Sequence, residues 1–255
     1  ASFAPDQIFT LNAAFSVLND YSNKATFNDI TYVMPKVPSL YTALTTGNLS
    51  STAEVYGKYA HAMIIINNDD PGNHPFHLHG HVFQIVGRSE GKYNPASGPY
   101  PGYFNNANPS RRDTVLIPSE QNVAIRFHAN NPGVWLFHCH IEWHLQAGLA
   151  TTIIEAPEIM PSILKIDQTH IDHCKALGIP YSGNAAGKEG LDLEGANVGP
   201  DPLTGTFTGK GIVALVFTII AALLGLGTVI WYAREDDAYI TAQLKAKSNT
   251  EEETQ

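Results

Sequence analysis

The chain has 255 residues, of which 44% are hydrophobic, enough apolar material for one domain of about 150 residues with appendages. Its formal net charge is −9 and no basic run occurs, which argues against nucleic acid or an anionic surface as a partner. Two cysteines are too few for a disulfide scaffold.

The first 66 residues predict short strands separated by turns. Residues 7–15, 27–33 and 62–66 are rich in β-branched and aromatic side chains, and prolines and glycines separate them. Asn48-Leu49-Ser50 is an acceptor sequence for N-glycosylation, which predicts a glycoprotein in a secreted context. The first residues lack the basic and apolar regions of a signal peptide. For a domain of the type that the motifs below resemble, we expect this to mean a truncated chain rather than a cytosolic protein.

From residue 74 onward the strand pattern is regular. A long Gly-, Pro- and Asn-rich loop covers residues 89–109. The predicted strands are residues 82–86, 114–117, 122–128, 134–138 and 149–154. Short strands, frequent turn signals and no convincing helix predict an all-β fold, a Greek-key β-sandwich.

Seven of the eleven histidines fall in two short stretches of this region. The first stretch contains His74, His77, His79 and His81, and the second contains His138, His140 and His144 around Cys139. If the second stretch is extended, alternate side chains leave opposite faces, so Cys139 points away from His138 and His140. One Cys with two His is the ligand set of a blue-copper site, and the other histidines suit copper bound by imidazole alone. One strand is therefore predicted to serve two copper centres.

After Pro157 the composition changes. Residues 163–178 predict a short helix that contains Cys174, and residues 183–205 form a Gly-, Asn- and Ala-rich stretch that predicts a flexible linker. Residues 211–232 carry no charge and are long enough to cross about 30 Å of hydrocarbon.

The residues that flank this apolar run predict its orientation. Trp231 and Tyr232 occupy the place of an interfacial aromatic belt, and the three basic residues beyond them favour the cytoplasm for the charged tail. We therefore predict four segments: a copper domain at 1–157, an extension and linker at 158–207, a single transmembrane helix at 208–233 and a cytoplasmic tail at 234–255.

Two motifs carry a resemblance to a known family. His74 to His81 reads H-P-x-H-x-H-G-H, and His138 to His144 reads H-C-H-x-x-x-H. In these motifs the chain resembles the last cupredoxin (plastocyanin-like) domain of the multicopper oxidases. The resemblance extends through two further segments, Arg111-Arg112-Asp113-Thr114 and Asn131-Pro132-Gly133-Val134-Trp135. The resemblance covers residues 9–155 and implies an oxidoreductase.

The resemblance implies a role for each ligand. His74, Cys139 and His144 are expected to bind the mononuclear copper, with Leu149 at the axial position, where the lack of a Met leaves the reduction potential higher. The remaining copper ligands are expected to be His77 for type 2 copper and His79, His138 and His140 for the type 3 pair. The trinuclear cluster needs eight histidines and four are present, so we expect the rest in missing N-terminal cupredoxin domains and no O2 reduction by this chain alone.

The same resemblance implies roles for several other residues. Glu142 matches a carboxylate that relays protons to the oxygen site, and a purely structural role is an equal alternative. Relative to the family, a strand is absent after Gly57. Cys174 is expected to pair with a cysteine upstream of this chain. We expect structural roles for Arg111, Arg112, Asp113, His61, His81 and His128.

Asp70, four residues before His74, decides the expected substrate. The fungal iron-transport ferroxidases, which the chain resembles more than it does the laccases, place an Asp at this offset, carry the axial Leu and end in one membrane anchor. The resemblance implies oxidation of Fe(II) by O2, beside a membrane iron permease, by a single-pass type I protein of the plasma membrane with its copper domain outside. Turn chemistry is the alternative role for Asp70. A laccase-like oxidase of phenols or aromatic amines and a non-enzymatic copper-binding or electron-transfer module are the alternative functions.

Overall fold

The structure, a computed structural model, describes residues 5–17, 22–45, 53–56, 61–102, 107–199 and 208–252. Its contacts divide the chain into two units, Ala1–Pro202 and Leu203–Gln255. The glycosylation sequence at Asn48 and the segment after Gly57, where a strand is predicted to be absent, lie outside the described residues.

The first unit contains two β-sheets. In chain order its strands are β1 Gln7–Val17, β2 Asn23–Phe27, β3 Ala53–Tyr56, β4 His61–Asn68, β5 His74–Leu78, β6 Phe83–Glu90, β7 Arg111–Arg112, β8 Thr114–Ile117, β9 Gln121–His128, β10 Gly133–Cys139 and β11 Ala150–Glu155. One sheet has the order β2-β1-β4-β9-β6-β7 and the other β3-β11-β10-β5-β8. The pairs β1–β4 and β3–β11 are parallel, while the other pairs of strands are antiparallel. The predicted all-β sandwich is confirmed.

Strand β4 is buried on both faces. Ile64 and Ile66 belong to the main core between the sheets, whereas Met63 and Ile65 pack beneath Tyr100 on the other face. Such double burial explains why this strand is a continuous apolar run rather than an alternating one. The long loop after β6 therefore covers the outer face of the first sheet.

An aromatic stack lies at the centre of the core. Phe76 is fully buried, and its ring centroid is 5.6 Å from that of Phe137 and 5.5 Å from that of Phe27. These three residues come from both sheets. The stack therefore joins the two layers directly beneath the second histidine stretch.

We expect Phe76→Ala to lower the free energy of unfolding by about 3–5 kcal/mol, because it leaves a cavity among rings that cannot collapse into it. Chemical denaturation followed by tryptophan fluorescence measures the change. Leu177→Ala is the control, since Leu177 is 73% exposed. Equal stabilities of the two variants would contradict this account of the core.

Two features of the first unit differ from the sequence prediction. The second strand covers Asn23–Phe27 rather than residues 27–33, because Asn28 and Asp29 adopt left-handed conformations and turn the chain there. Short helices occur within the sandwich, α1 at Ser39–Thr45 and α2 at Glu142–Gln146. The prediction of no convincing helix is therefore wrong for these two turns.

The extension after the sandwich belongs to the same unit as the sandwich. It contains α3 Met160–Ile163 and α4 Gln168–Leu177. Beyond them, the buried Asn184 side chain accepts hydrogen bonds from the N–H groups of Ala186 and Lys188 and donates two more to backbone carbonyls. The Asn197 amide donates to the Met34 carbonyl at 2.8 Å. Residues 183–199 are thus an ordered strap, whereas the sequence predicts a flexible linker.

In the described part of the second unit the chain forms one helix, α5 at Gly209–Glu252. The Thr208 hydroxyl accepts a hydrogen bond from the N–H of Gly211 at the start of this helix. Its apolar part is long and hydrophobic enough to cross a membrane. The helix continues beyond Arg234 through the charged tail, a continuation that composition alone does not indicate.

Candidate metal centre

Three elements deliver the predicted mononuclear ligands to one place. His74 begins β5, Cys139 ends β10, and His144 lies in α2. The predicted extended conformation holds only as far as Cys139, because the chain then bends and forms one helical turn. Gly148 ends this turn with φ +106°, and a side chain there would meet the backbone oxygens of Ala25 and Tyr32. The turn brings His144 back to the side of the strand on which Cys139 lies.

The three donor atoms form a compact triangle. The Nδ1 atoms of His74 and His144 are 3.0 Å apart, and the Cys139 sulfur is 3.7 Å from the first and 3.5 Å from the second. An ion bonded to nitrogen at about 2.0 Å and to sulfur at about 2.3 Å holds its donors about 3.0–3.7 Å apart when the angles at the ion lie between about 97° and 120°. The residues therefore fit a single ion with two imidazole ligands and one thiolate, the donor set of a blue-copper site.

Burial sets the electrostatics of this triangle. His74 and Cys139 are fully buried. Burial raises the pKa of the Cys139 thiol, while burial and the neighbouring His74 lower the pKa of His144. The site therefore favours a neutral His144 imidazole and disfavours an uncompensated Cys139 thiolate, conditions that a bound cation satisfies.

Apolar groups cover the triangle. The Phe15 ring stacks on His74 with the centroids 5.3 Å apart, and its centroid lies 4.8 Å from that of His144. Leu149, at the predicted axial position, is fully buried, and its carbonyl accepts a hydrogen bond from the N–H of Cys139. Phe15 is 59 positions before His74, and sequence patterns did not reveal its role.

Asp70 contacts the outer edge of the His74 ring. Its Oδ2 accepts a hydrogen bond from His74 Nε2 at 3.0 Å and another from the N–H of Gly72 at 2.8 Å. The Asp70 side chain is 20% exposed. It therefore contacts a predicted copper ligand, completes the turn and reaches solvent.

The other four predicted ligands form a second cluster. His79 and His138 have their Nε2 atoms 3.1 Å apart, and the ring centroid of His77 is 4.9 Å from that of His79. The His140 centroid lies 5.8 Å from that of His138. Burial and mutual repulsion lower the pKa values of His79 and His138, which keeps their nitrogen lone pairs available. His79 and His140 are exposed, so this cluster is an open face.

Hydrogen bonds select different ring nitrogens in the two clusters. His77 Nδ1 donates to the Asp113 carbonyl at 2.8 Å, and His138 Nδ1 donates to the Cys139 carbonyl at 2.8 Å. Both rings therefore present Nε2 to a metal. In the mononuclear triangle Asp70 holds Nε2 of His74, which leaves Nδ1 as the donor. The carbonyl of Cys139 thus contacts one cluster while its sulfur belongs to the other.

The remaining predicted residues have distinct places. Glu142 is exposed in the first turn of α2, and its charge partly opposes the lowering of the His138 pKa by burial. It lines a cavity of about 680 Å³ with Leu136 and Leu145. Cys174 has a free thiol on α4.

Arg111 Nη1 donates to Asn108 Oδ1 and Arg112 Nε donates to Ser110 Oγ, both at 3.4 Å, and neither arginine has an ion pair within the described part of the chain. Their structural role stays a prediction. The predicted structural histidines have protein contacts: His81 is paired with Glu155, and the His61 and His128 rings stack with centroids 4.8 Å apart.

Comparisons with known proteins agree with this geometry. The family model described as multicopper oxidase matches residues 23–158. The iron transport multicopper oxidase fetC of Epichloe festucae is 47% identical over 242 residues, which cover 89% of this chain and 39% of that protein. The iron transport multicopper oxidase FET3 of Saccharomyces cerevisiae is 38% identical, over 91% of this chain and 40% of that protein.

Solved structures show the same likeness. The crystal structure of Fet3p, a multicopper oxidase that functions in iron import, is similar with a TM-score of 0.62 and 34% identity, over 78% of this chain and 41% of that one. A laccase from Botrytis aclada is similar with a TM-score of 0.55 and 27% identity, over 67% of this chain and 32% of the laccase. The chain thus spans about two fifths of the length of the curated relatives it matches.

Proposed function

Because the chain belongs to the multicopper oxidases, a family that binds copper, we propose that it forms the C-terminal part of a membrane-anchored ferroxidase. The substrates of this proposed enzyme are Fe(II) and O2. The names of the relatives support iron as the substrate, since several are iron transport oxidases. The division into a copper domain at 1–157, an extension at 158–207, an anchor at 208–233 and an inner tail at 234–255 belongs to the same proposal.

The observation that carries the choice of iron is the contact between Asp70 and His74. A carboxylate is a hard oxygen donor, so it favours Fe(III) over Fe(II) and assists removal of the electron. Asp70 combines this chemistry with a hydrogen bond of 3.0 Å to a proposed copper ligand and partial exposure to solvent. An iron ion at Asp70 is thereby linked to the mononuclear site through one imidazole.

In this proposal His74, Cys139 and His144 hold the mononuclear copper, and His77, His79, His138 and His140 supply half of a trinuclear site. Bound copper supplies one-electron oxidation at the first site and reduction of O2 to water at the second. Asp70 orients His74 and binds iron, Phe15 and Leu149 exclude water, and Glu142 holds a proton near the imidazole face. The other half of that face comes from N-terminal cupredoxin domains, and the chain alone is inactive towards O2.

Membrane placement completes the proposal. Helix α5 anchors the protein once in the plasma membrane, with the copper domain outside and the charged tail in the cytoplasm. Trp231 and Tyr232 at the inner end of the apolar run support this arrangement. A membrane iron permease beside it would take up the Fe(III) produced.

One observation favours an alternative, a laccase-like oxidase. A groove of about 440 Å³ beside His144 is lined by Phe15, Tyr32 and Trp143. Its size and aromatic walls suit a phenol or an aromatic amine. Similarity to a laccase structure supports the same alternative.

The change Asp70→Ala in the complete protein tests the choice between these substrates. If Asp70 supplies about 1.5–3 kcal/mol, as hydrogen bonds to charged groups do, Fe(II) turnover should fall roughly tenfold or more. Oxidation of a phenolic donor should change little, and the blue absorption should persist because every proposed copper ligand remains. Steady-state rates with both donors and the visible spectrum measure these effects.

Two further variants separate the charge of Asp70 from its role in the turn. Asp70→Asn keeps an acceptor for the N–H of Gly72 but removes the charge, so it should also lose iron activity. Asp69→Ala is the matched control, because Asp69 lies in the same turn and pairs with Lys92 rather than with His74. Equal loss with both donors would mean that Asp70 only supports the turn, and no loss with either would favour the laccase.

A further inference from the structure

A buried pair of polar side chains lies near the open histidine face. Nε2 of His81 and Oε2 of Glu155 are 2.7 Å apart, and the two side chains are 3% and 0% exposed. Neither residue belongs to the proposed copper ligands. Because a buried polar atom without a hydrogen-bond partner is costly, the partners of these two side chains indicate what the pair holds in place.

Within the described part of the chain, the side-chain hydrogen bonds of this pair connect it to the turn that carries His79. Nδ1 of His81 donates to the carbonyl of His79 at 3.1 Å. The other carboxylate oxygen of Glu155 accepts a hydrogen bond from the N–H of Asn131. The Asn131 side-chain amide in turn donates to the carbonyl of Gly80 at 2.9 Å.

The turn is also held from its other side. The N–H of His79 donates to the Leu136 carbonyl at 3.0 Å. Gly80 has φ +70°, and a side chain there would meet the Trp135 ring at 2.5 Å. Trp135 Nε1 donates to the carbonyl of Asn131 at 2.8 Å, which closes the network. Both backbone groups of His79 and the carbonyl of its neighbour are therefore fixed.

We propose that His81, Glu155 and Asn131 are positioning residues that hold the His79 ring opposite His138 in the geometry needed for copper. Without the network, the hydrogen bond from the N–H of His79 to the Leu136 carbonyl would be the one that still holds the backbone of His79 among the described residues. The imidazole of His79 is exposed, so little side-chain packing would replace the lost constraint. The inference rests on the proposed function, because it takes the four-histidine face as a copper site.

The test compares three variants of the complete protein loaded with copper. His81→Gln keeps a donor for Glu155 but withdraws the donor from the His79 carbonyl. Asn131→Ala removes only the amide that holds the Gly80 carbonyl, since its backbone contacts to Glu155 and Trp135 remain. Asn130→Ala is the matched control, because Asn130 is exposed and adjacent.

The readouts are copper atoms per molecule during titration with a chelator and the blue absorption of the mononuclear site. We expect His81→Gln and Asn131→Ala to release the imidazole-bound copper at about 10–100-fold lower chelator concentration, as loss of such supporting bonds does at other metal sites. The blue absorption and the Asn130→Ala variant should remain as in the wild type.

Retention of all copper by both variants at the wild-type chelator concentration would overturn the inference. Parallel loss of blue absorption and imidazole-bound copper would also overturn it, since that result indicates general destabilisation. Asn131→Ala keeps the buried pair and so provides the test if His81→Gln does not fold. If the wild-type protein held only the blue copper, the proposed function itself would fail, which is a distinct result.

Discussion

We expect the change Cys139→Ser to abolish the blue absorption of the copper-loaded chain completely. The absorption requires charge transfer from a thiolate to copper, and a serine hydroxyl neither ionises at neutral pH nor supplies a sulfur orbital. The wild-type chain, loaded with copper, should hold one blue centre and no stoichiometric trinuclear cluster, because only four of the histidines that such a cluster needs are present. Visible spectroscopy and copper analysis measure both expectations.

The second cysteine supplies the control for this experiment. Cys174 lies on α4 and has no part in the donor triangle, so Cys174→Ser should keep the blue absorption. Blue colour that persisted in Cys139→Ser would show that another ligand set binds the copper. Colour lost in both variants would point to unfolding, which circular dichroism would detect.

The second large effect concerns the membrane. The full chain should sediment with membranes and resist extraction by alkaline carbonate, because the apolar part of α5 finds no protein partner within its described unit. A chain that stops before Thr208 should be soluble. The truncation should move nearly all of the protein from the membrane fraction to the soluble fraction, since no other helix of the described residues is long and apolar enough to cross a membrane.

A second truncation separates the anchor from the charged tail. A chain that stops after Glu235 keeps the apolar run and should remain in the membrane fraction. Protease added outside intact cells should cleave the copper domain in the proposed orientation. Recovery of the full chain in the soluble fraction would exclude the anchor, whereas resistance of the copper domain to external protease would exclude only the orientation.

Much of the fold follows from local sequence patterns. Three strands, β4, β9 and β10, are rich in apolar and β-branched residues. This composition predicts the ends of each strand to within a few residues. Family membership and the two-sheet sandwich, both predicted from the histidine motifs and the strand pattern, are confirmed. These predictions rest on spacing along the chain, which a sequence displays directly.

The missed features depend on contacts between distant segments. Phe15 reaches the metal centre because β1 pairs in parallel with β4, and no local pattern near Phe15 indicates that pairing. Glu155 ends an apolar strand as a single charge, and its partner His81 is 74 positions away. The strap is ordered because Asn184 binds several backbone groups at once, whereas its Gly-rich composition predicts flexibility. Composition records none of these tertiary bonds.

The parallel pairing of β3 with β11 has a consequence for the order of folding. It pairs Val55 with Ile154, which lie about 100 residues apart in the chain. Because contacts between distant segments form slowly, we expect the second sheet to close late in folding. The N–H of Cys139 binds the carbonyl of Leu149, immediately before β11. On the ribosome, the cysteine therefore emerges before the strand that completes its enclosure. We therefore expect its thiol to be accessible to metal ions and to oxidants during that interval, until the sheet closes.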